Sequence, residues 1–279
     1  MTGAGGQLGT ALANQVAGHT LIRLHLASRI ELDITDPISV SKYFANNQMD
    51  GVINCAAYTA VDLAETNRED AFRVNAEGAR NIAKACQESN TSLYHISTDY
   101  VFEGNGSRPY TEQDEVNPQS VYGESKAEGE RLIRAAYTEA CIIRTSWLVD
   151  AKGQNFVNAM IKLGSERDSI SVVDDQVASP TWAPLLAEGL LTSISKEANL
   201  AGTFHYAHEG ECSWKKFTEY IFNDLDIQCQ VNAISTADFG AAAPRPKYSK
   251  LDTSKLKGIG HFVFPTWEEA STQFLQTAK

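Results

Sequence analysis

The 279-residue sequence predicts an α/β chain: a doubly wound parallel sheet, its first strand apparently truncated, followed by a smaller α/β part toward the carboxyl end. Three observations predict it. A glycine-rich turn at Gly3 to Gly9 runs directly into a helical pattern of Leu8, Ala11, Leu12 and Val16. Apolar runs at residues 50–57, 92–97 and 140–145 are as unbroken as strands covered on both faces must be. Helical patterns separate these runs, the rhythm of a sheet wound by crossover helices.

The turn reads Gly3-Ala4-Gly5-Gly6-Gln7-Leu8-Gly9. Backbone N–H groups and a helix dipole there can meet a diphosphate without Cβ interference, so Gly3, Gly6, Gln7, Leu8 and Gly9 are candidate cofactor contacts. Such a turn ordinarily follows a buried strand of about five residues, and only Met1 and Thr2 precede it. Losing a central strand would expose ladder groups on its neighbours, so the expectation is a natural start upstream of Met1. Residues 21–26 read as the second strand. A carboxylate near its end would accept the ribose hydroxyls of NAD; instead His25, Ser28 and Arg29 stand there. Arginine suits a 2′-phosphate, which favours NADPH while leaving NADH possible. Asp33 and Ile34 form a short edge placed to lie under an adenine. Asp36-Pro37 reads as a capped helix start, with Val40, Tyr43 and Phe44 on its core face.

The run at 50–57 ends in Ala56-Ala57-Tyr58, small residues where a cofactor passes close to backbone. One long helix is expected over 68–89, with Ala71, Phe72, Ala79, Ile82, Ala83 and Cys86 inward and Asn75 near that face. The next strand delivers Thr98, Asp99 and Tyr100 at its carboxyl end, the edge where ligands collect in such sheets. A loop rich in glycine, proline and acids (104–118) then leads to a helix carrying Tyr122-Gly123-Glu124-Ser125-Lys126. Residues four apart share a helix face, so Tyr122 and Lys126 can share a pocket. A phenol with a pKa near ~10 is a poor acid at neutral pH, and a fixed cation nearby lowers that value. With the Thr98 hydroxyl added, the trio suits protonation of an oxygen that has just received a hydride. Tyr-x-x-x-Lys alone is a weak pattern; the glycine turn and Thr98 give it weight.

Beyond Ser146-Trp147 the rhythm loosens into a helix (155–163), a strand (169–173), a turn (177–181), a helix returning to the sheet (183–194), a strand (203–207) and a helix (214–225). The expected organisation is a cofactor domain over 1–150 that also receives 170–196, and a mainly substrate-binding domain over 151–279. Residues 241–250 gather Arg245, Lys247 and Lys250 beside prolines, a landing place for a diphosphate in an otherwise acidic chain. With 24 basic against 35 acidic residues the net charge is −11, which argues against nucleic acid or an anionic membrane as partner. Five widely spaced cysteines fit reduced thiols in a cytoplasmic protein. No apolar run approaches the roughly 18 residues of a membrane helix, and no charged-then-apolar leader opens the chain.

Taken together, Gly3 to Gly9, Ala56-Ala57-Tyr58-Thr59-Ala60-Val61-Asp62, Ser97-Thr98-Asp99-Tyr100-Val101-Phe102, Tyr122-Gly123-x-x-Lys126 and Arg144-Thr145-Ser146-Trp147 resemble the extended short-chain dehydrogenase/reductases over nearly the whole chain. The resemblance implies a Rossmann-like sheet and NADPH-dependent reduction of the 4-keto group of dTDP-4-dehydro-L-rhamnose, a small-molecule nucleotide sugar. Thr98, Tyr122 and Lys126 then match the catalytic trio. Tyr122 would donate the proton, Lys126 would tune it and hold the nicotinamide ribose, and Thr98 would orient the carbonyl. Asp99, Tyr100 and Trp147 match the sugar pocket, and Arg245 a residue near the diphosphate. A related 4,6-dehydratase needs an acid after Asp99, where Tyr100 stands; a 4-epimerase or a non-catalytic, cofactor-binding regulatory subunit are the other readings. Some members of the family hold Mg²⁺ between subunits, but no acidic cluster assigns such a site here, and a homodimer is left possible.

Overall fold

The computed structural model describes residues 1–198 and 200–276. Four parallel strands form its centre: Gly51–Asn54, Ser92–Thr98, Cys141–Thr145 and Gly202–Tyr206, adjacent in that order. Alternation along the strands sends Ile53, Tyr94, Ile143 and Phe204 to one face, where helices Gln7–Gln15 and Ala183–Ser195 cover them with Leu8, Leu12, Leu186 and Leu190. Val52, Leu93 and Ile142 point to the other face, against Val40, Ile82 and Ile133 of helices Pro37–Asn46, Ala79–Ser89 and Val121–Ala136. Helices on both faces explain why the strands read as continuous apolar runs, and the expected fold class holds.

Outside Gly51–Asn54 the sheet is reduced to a stub. Thr2 N donates to Ile53 O at 3.1 Å, and Ala27 N to Met1 O at 2.9 Å. The Met1 ammonium donates to His25 O at 2.7 Å. The expected strand at residues 21–26 is absent. A neighbour only two residues long offers too few backbone partners for a ladder to propagate, so the segment runs beside the stub without pairing further.

The expected single helix over 68–89 is also modified. It comprises Arg68–Phe72, a wide π turn at Arg73–Gly78, and Ala79–Ser89. The π turn brings the Asn75 carbonyl against Gly129 of the crossing tyrosine helix, where any Cβ would overlap it. Such turns mark functional positions more often than chance, and this one sits behind the cleft described below. Gly129→Ala is expected to lower stability by about 1–3 kcal/mol, the usual cost of overpacking; an unchanged denaturation midpoint would show that the crossing has slack.

Other expectations hold locally. Asp36 caps its helix by accepting from Ile38 N at 2.9 Å. The expected turn at 177–181 brackets two short strands, Val177–Ala178 and Thr181–Trp182, which pair with Cys212–Ser213 and Leu148–Val149. A separate core gathers Val157, Ile170, Trp182, Phe217, Ile221 and Trp267 beside the parallel pair Ser169–Val173 and Gln230–Ile234. Among the described residues no helix is long and apolar enough to cross a membrane.

Candidate active site

One cleft of about 740 Å³ lies at the carboxyl ends of the central strands. The glycine turn forms one wall. Gly3 holds φ 67°, and a Cβ there would strike the Cys55 backbone, so glycine is required. A side chain at Gly5 would instead project toward open space, and a Cβ at Gly6 would sit 3.4 Å from Gly3 O. Gly6, at the N-cap of helix Gln7–Gln15, supplies no side-chain cap, so the first-turn N–H groups are left to face the cleft. This cradle, bare of side chains at a helix N-terminus, fits the diphosphate of a dinucleotide.

The strand Ser92–Thr98 delivers Thr98 beside Thr145 of its neighbour. Thr98 Oγ1 donates to Asp99 Oδ1 at 3.0 Å and accepts from Tyr100 N at 3.2 Å, which fixes the hydroxyl at the strand end. Ser120 starts the tyrosine helix by accepting from Gly123 N at 3.2 Å. The helix in turn presents Tyr122 toward Thr98, and both residues line the cleft. Burial pushes the Tyr122 phenol above its ordinary value. The nearby Thr98 hydroxyl opposes this, while the charge of Asp99 and the Tyr100 hydroxyl reinforce it.

Lys126 reaches the same cleft. Its Nζ donates to Ile96 O at 2.6 Å and lies 3.2 Å from His95 Nε2, so it is tied to the strand. Helical spacing brought both side chains to one cleft, but burial drives the amine to the nearest carbonyl. The same burial draws Lys126 down to about 8, against the pull of Glu130 and Cys55.

Asp99 is also buried, and desolvation lifts its carboxyl to about 6 despite hydrogen bonds from Ser249 Oγ (2.5 Å) and Thr98. A raised carboxyl favours folding fully below its unfolded value near 3.8 and loses that contribution as pH rises through about 6, a change of up to roughly 3 kcal/mol. Relative to wild type, Asp99→Asn should therefore gain stability between pH 4 and pH 7. Denaturation midpoints that track wild type across this range would show that Asp99 stays ionised when buried.

Gly3, Gly6, Gln7, Leu8, Gly9, Ala57, Thr98, Asp99, Tyr100, Tyr122, Lys126 and Trp147 all line the cleft. The remaining expected residues are not among those lining the cleft. Asn75 is a brace: its amide accepts from Tyr58 N at 2.8 Å and donates to Tyr58 O and Ser125 Oγ, tying the loop after Gly51–Asn54 to the tyrosine helix. Ala56 packs against the core on the sheet's tyrosine-helix face, and Ile34 is buried there beside Gly78. Exposed Arg29 pairs with Asp33 at 3.6 Å, and Asp33 also accepts from Thr35. Arg245 is held by Asp62 at 2.6 Å and reaches Tyr100.

Sequence reasoning missed Trp214. Its ring stacks on Trp147 with centroids 3.5 Å apart and planes within 10°, and both indoles line the cleft. Trp147 adopts φ 44°, a left-handed conformation that costs energy for a bulky residue. The stack, together with the Thr181 N bond to Trp147 O at 3.1 Å, holds it there. Nothing in the local sequence around Trp214 signals a partner 67 positions upstream, a separation given by the numbering.

A glycine cradle on the first crossover, with a threonine and a helix-borne tyrosine and lysine at the strand ends, defines the class of extended short-chain dehydrogenase/reductases. Sequence comparison narrows this. The chain belongs to the family described as the RmlD substrate binding domain, which matches residues 1–279. It is 38% identical to the spore coat polysaccharide biosynthesis protein SpsK of Bacillus subtilis, over 99% of this chain and 96% of that one. It is also 38% identical to a dTDP-4-dehydrorhamnose reductase of Aggregatibacter actinomycetemcomitans, covering 97% and 95% of the two chains. A solved dTDP-4-dehydrorhamnose reductase from Bacillus anthracis, in complex with NADP, superposes with a TM-score of 0.93 at 40% identity, covering 99% of this chain and 97% of that one.

Proposed function

We propose that this chain reduces the 4-keto group of dTDP-4-dehydro-L-rhamnose with NADPH, giving dTDP-L-rhamnose. The observation that carries the reading is the meeting, in one cleft, of the side-chain-free cradle, the Thr98–Tyr122 hydroxyl pair and the indole wall. The names of relatives near 40% identity over almost the full chain support it.

When bound, the cofactor supplies the hydride to the sugar carbonyl carbon. The chain supplies the proton and the geometry. Burial keeps Tyr122 protonated until charge develops on the carbonyl oxygen, and the phenol then donates to that oxygen. Thr98, fixed by Asp99 and Tyr100 N, orients the same oxygen. Lys126 stands where it would hold the nicotinamide ribose. The Trp147–Trp214 stack gives the pyranose an apolar wall. Arg245, anchored by Asp62, offers a cation to the diphosphate of the sugar nucleotide. Residues 1–150 with helix Ala183–Ser195 act as the cofactor unit, which the shared core of that helix with Gln7–Gln15 supports. Residues 151–279 mainly hold the sugar.

The test is NADPH oxidation followed at the nicotinamide absorbance with dTDP-4-dehydro-L-rhamnose, with the sugar product identified by NMR. One NADPH consumed per dTDP-L-rhamnose formed is expected. Sugar conversion without net NADPH loss would make the protein an epimerase. No change with any nucleotide sugar, despite NADPH binding, would remove the catalytic reading.

A further inference from the structure

A buried row of side chains lies under the cofactor side of the cleft, and the reaction above leaves it unexplained. Thr2 Oγ1 donates to Asn54 Oδ1 at 2.6 Å; Asn54 Nδ2 lies 3.0 Å from His95 Nδ1; His95 Nε2 lies 3.2 Å from Lys126 Nζ. All four residues are 3% exposed or less. The row follows the sheet's own register, because Thr2 bridges to Asn54 and Asn54 pairs with His95. Its Lys126 end borders the cleft, and its Thr2 end is buried.

Counting hydrogens along the row settles what it can do. A neutral imidazole carries one N–H. Asn54 presents its amide nitrogen, so His95 Nδ1 accepts and the imidazole hydrogen sits on Nε2, aimed at Lys126. An ammonium has no lone pair to receive it, whereas a free amine does, and the amine can still donate to Ile96 O. The amide orientation is itself fixed from the far end. Thr2 Oγ1 accepts from Ala56 N at 3.4 Å, and among the described residues its one hydrogen has a single acceptor, Asn54 Oδ1. Turning the amide over would leave a buried hydroxyl hydrogen unpaired. Protonating His95 on both nitrogens would set donor against donor at Asn54. Burial already holds that ring well below its ordinary pKa. The other groups facing Lys126 are the Glu130 carboxylate and the Cys55 thiol, with the Met1 ammonium near Cys55.

We propose that Thr2, Asn54 and His95 act as positioning residues that bias the protonation of Lys126: in the ligand-free cleft they favour its free-amine form, and binding of NADPH is coupled to uptake of solvent protons at Nζ. The inference rests on the reading of Lys126 as the residue that receives the cofactor, but not on any sugar being reduced. The proton comes from water and no other bond changes.

The experiment is titration calorimetry with NADPH alone at pH 8, in two buffers of different ionisation enthalpy. A binding enthalpy that depends on buffer, corresponding to a substantial fraction of one proton taken up, is expected for wild type. Asn54→Asp would present a carboxylate to His95, move the imidazole hydrogen to Nδ1 and leave Nε2 to accept from a lysine already charged. Its proton uptake should fall toward zero while NADPH still binds. Lys126→Met should abolish uptake as well. Imidazole ¹⁵N shifts of ligand-free wild type give a reading independent of any variant: the Nε2–H tautomer of His95 is expected. An Nδ1–H tautomer, absence of buffer dependence in wild type, or equal uptake in Asn54→Asp would each overturn the proposal. If NADPH does not bind at all, the reductase reading fails, while the His95 tautomer still decides whether the row is wired as described.

Discussion

Tyr122→Phe lowers turnover by a factor of about 10² to 10⁴, the usual worth of a positioned proton donor, and leaves NADPH binding nearly intact. The substitution removes one oxygen from a half-buried ring, which keeps its edge contact with Tyr100 at 5.4 Å between centroids. The fold and the cradle should therefore be unaffected. The loss should fall on kcat rather than KM, because the proton is needed only as charge develops on the carbonyl oxygen. Thr98 alone cannot substitute, since it shares its hydrogen with Asp99. Steady-state kinetics with dTDP-4-dehydro-L-rhamnose, beside NADPH titration of the same preparation, separates the two effects. Wild-type turnover in the variant would remove Tyr122 from the chemistry.

Glu130→Ala is expected to have the largest effect on stability, about 3–5 kcal/mol, because it leaves the partner of a buried ion pair uncompensated. Glu130 and Arg144 are each 1% exposed and meet through two bonds, Nε to Oε1 at 2.8 Å and Nη2 to Oε2 at 2.6 Å. Ser97 Oγ and Arg134 complete the shell of the carboxylate. Burial alone would raise the Glu130 carboxyl, yet Arg144, Arg134 and Ser97 bring it down to about 2. A lowered carboxyl contributes stability that is present above its unfolded value near 4.5 and is lost as pH falls toward 2. Denaturant unfolding at pH 7 measures the loss directly. A change below about 1 kcal/mol would mean that Arg144 finds other partners, such as the Phe102 ring beneath it or His205.

Much of the architecture could be read from the chain because its strands are covered on both faces. The apolar runs ending at Asn54, Thr98 and Thr145 had no other plausible use, and parallel register then brought their ends to one edge. Residues 21–26 misled for the converse reason. Their composition suits a strand, but a strand needs a ladder partner, and Met1 with Thr2 provides little more than one bridge. The π turn at Arg73–Gly78 was invisible locally, since it is bound up with a contact made by Gly129 some fifty residues away in sequence. At the site, Thr98 and Tyr122 were legible because a strand's carboxyl end and the start of the next crossover helix meet at the same edge of a parallel sheet. Helical spacing places Lys126 in the cleft but does not reveal its bond to Ile96 O, because it fixes a Cα, whereas four rotatable bonds let the amine seek a carbonyl. Trp214 and His95 became visible only when separate elements met.

The paired indoles of Trp147 and Trp214 have a practical consequence. Two parallel chromophores at van der Waals separation couple electronically, so their near-ultraviolet circular dichroism differs from that of isolated tryptophans. On the proposed reading, a pyranose seated against that wall would alter the coupling whether or not it is chemically competent. Occupancy by inert nucleotide sugars would then be followed optically, without label or turnover, in the unmodified protein.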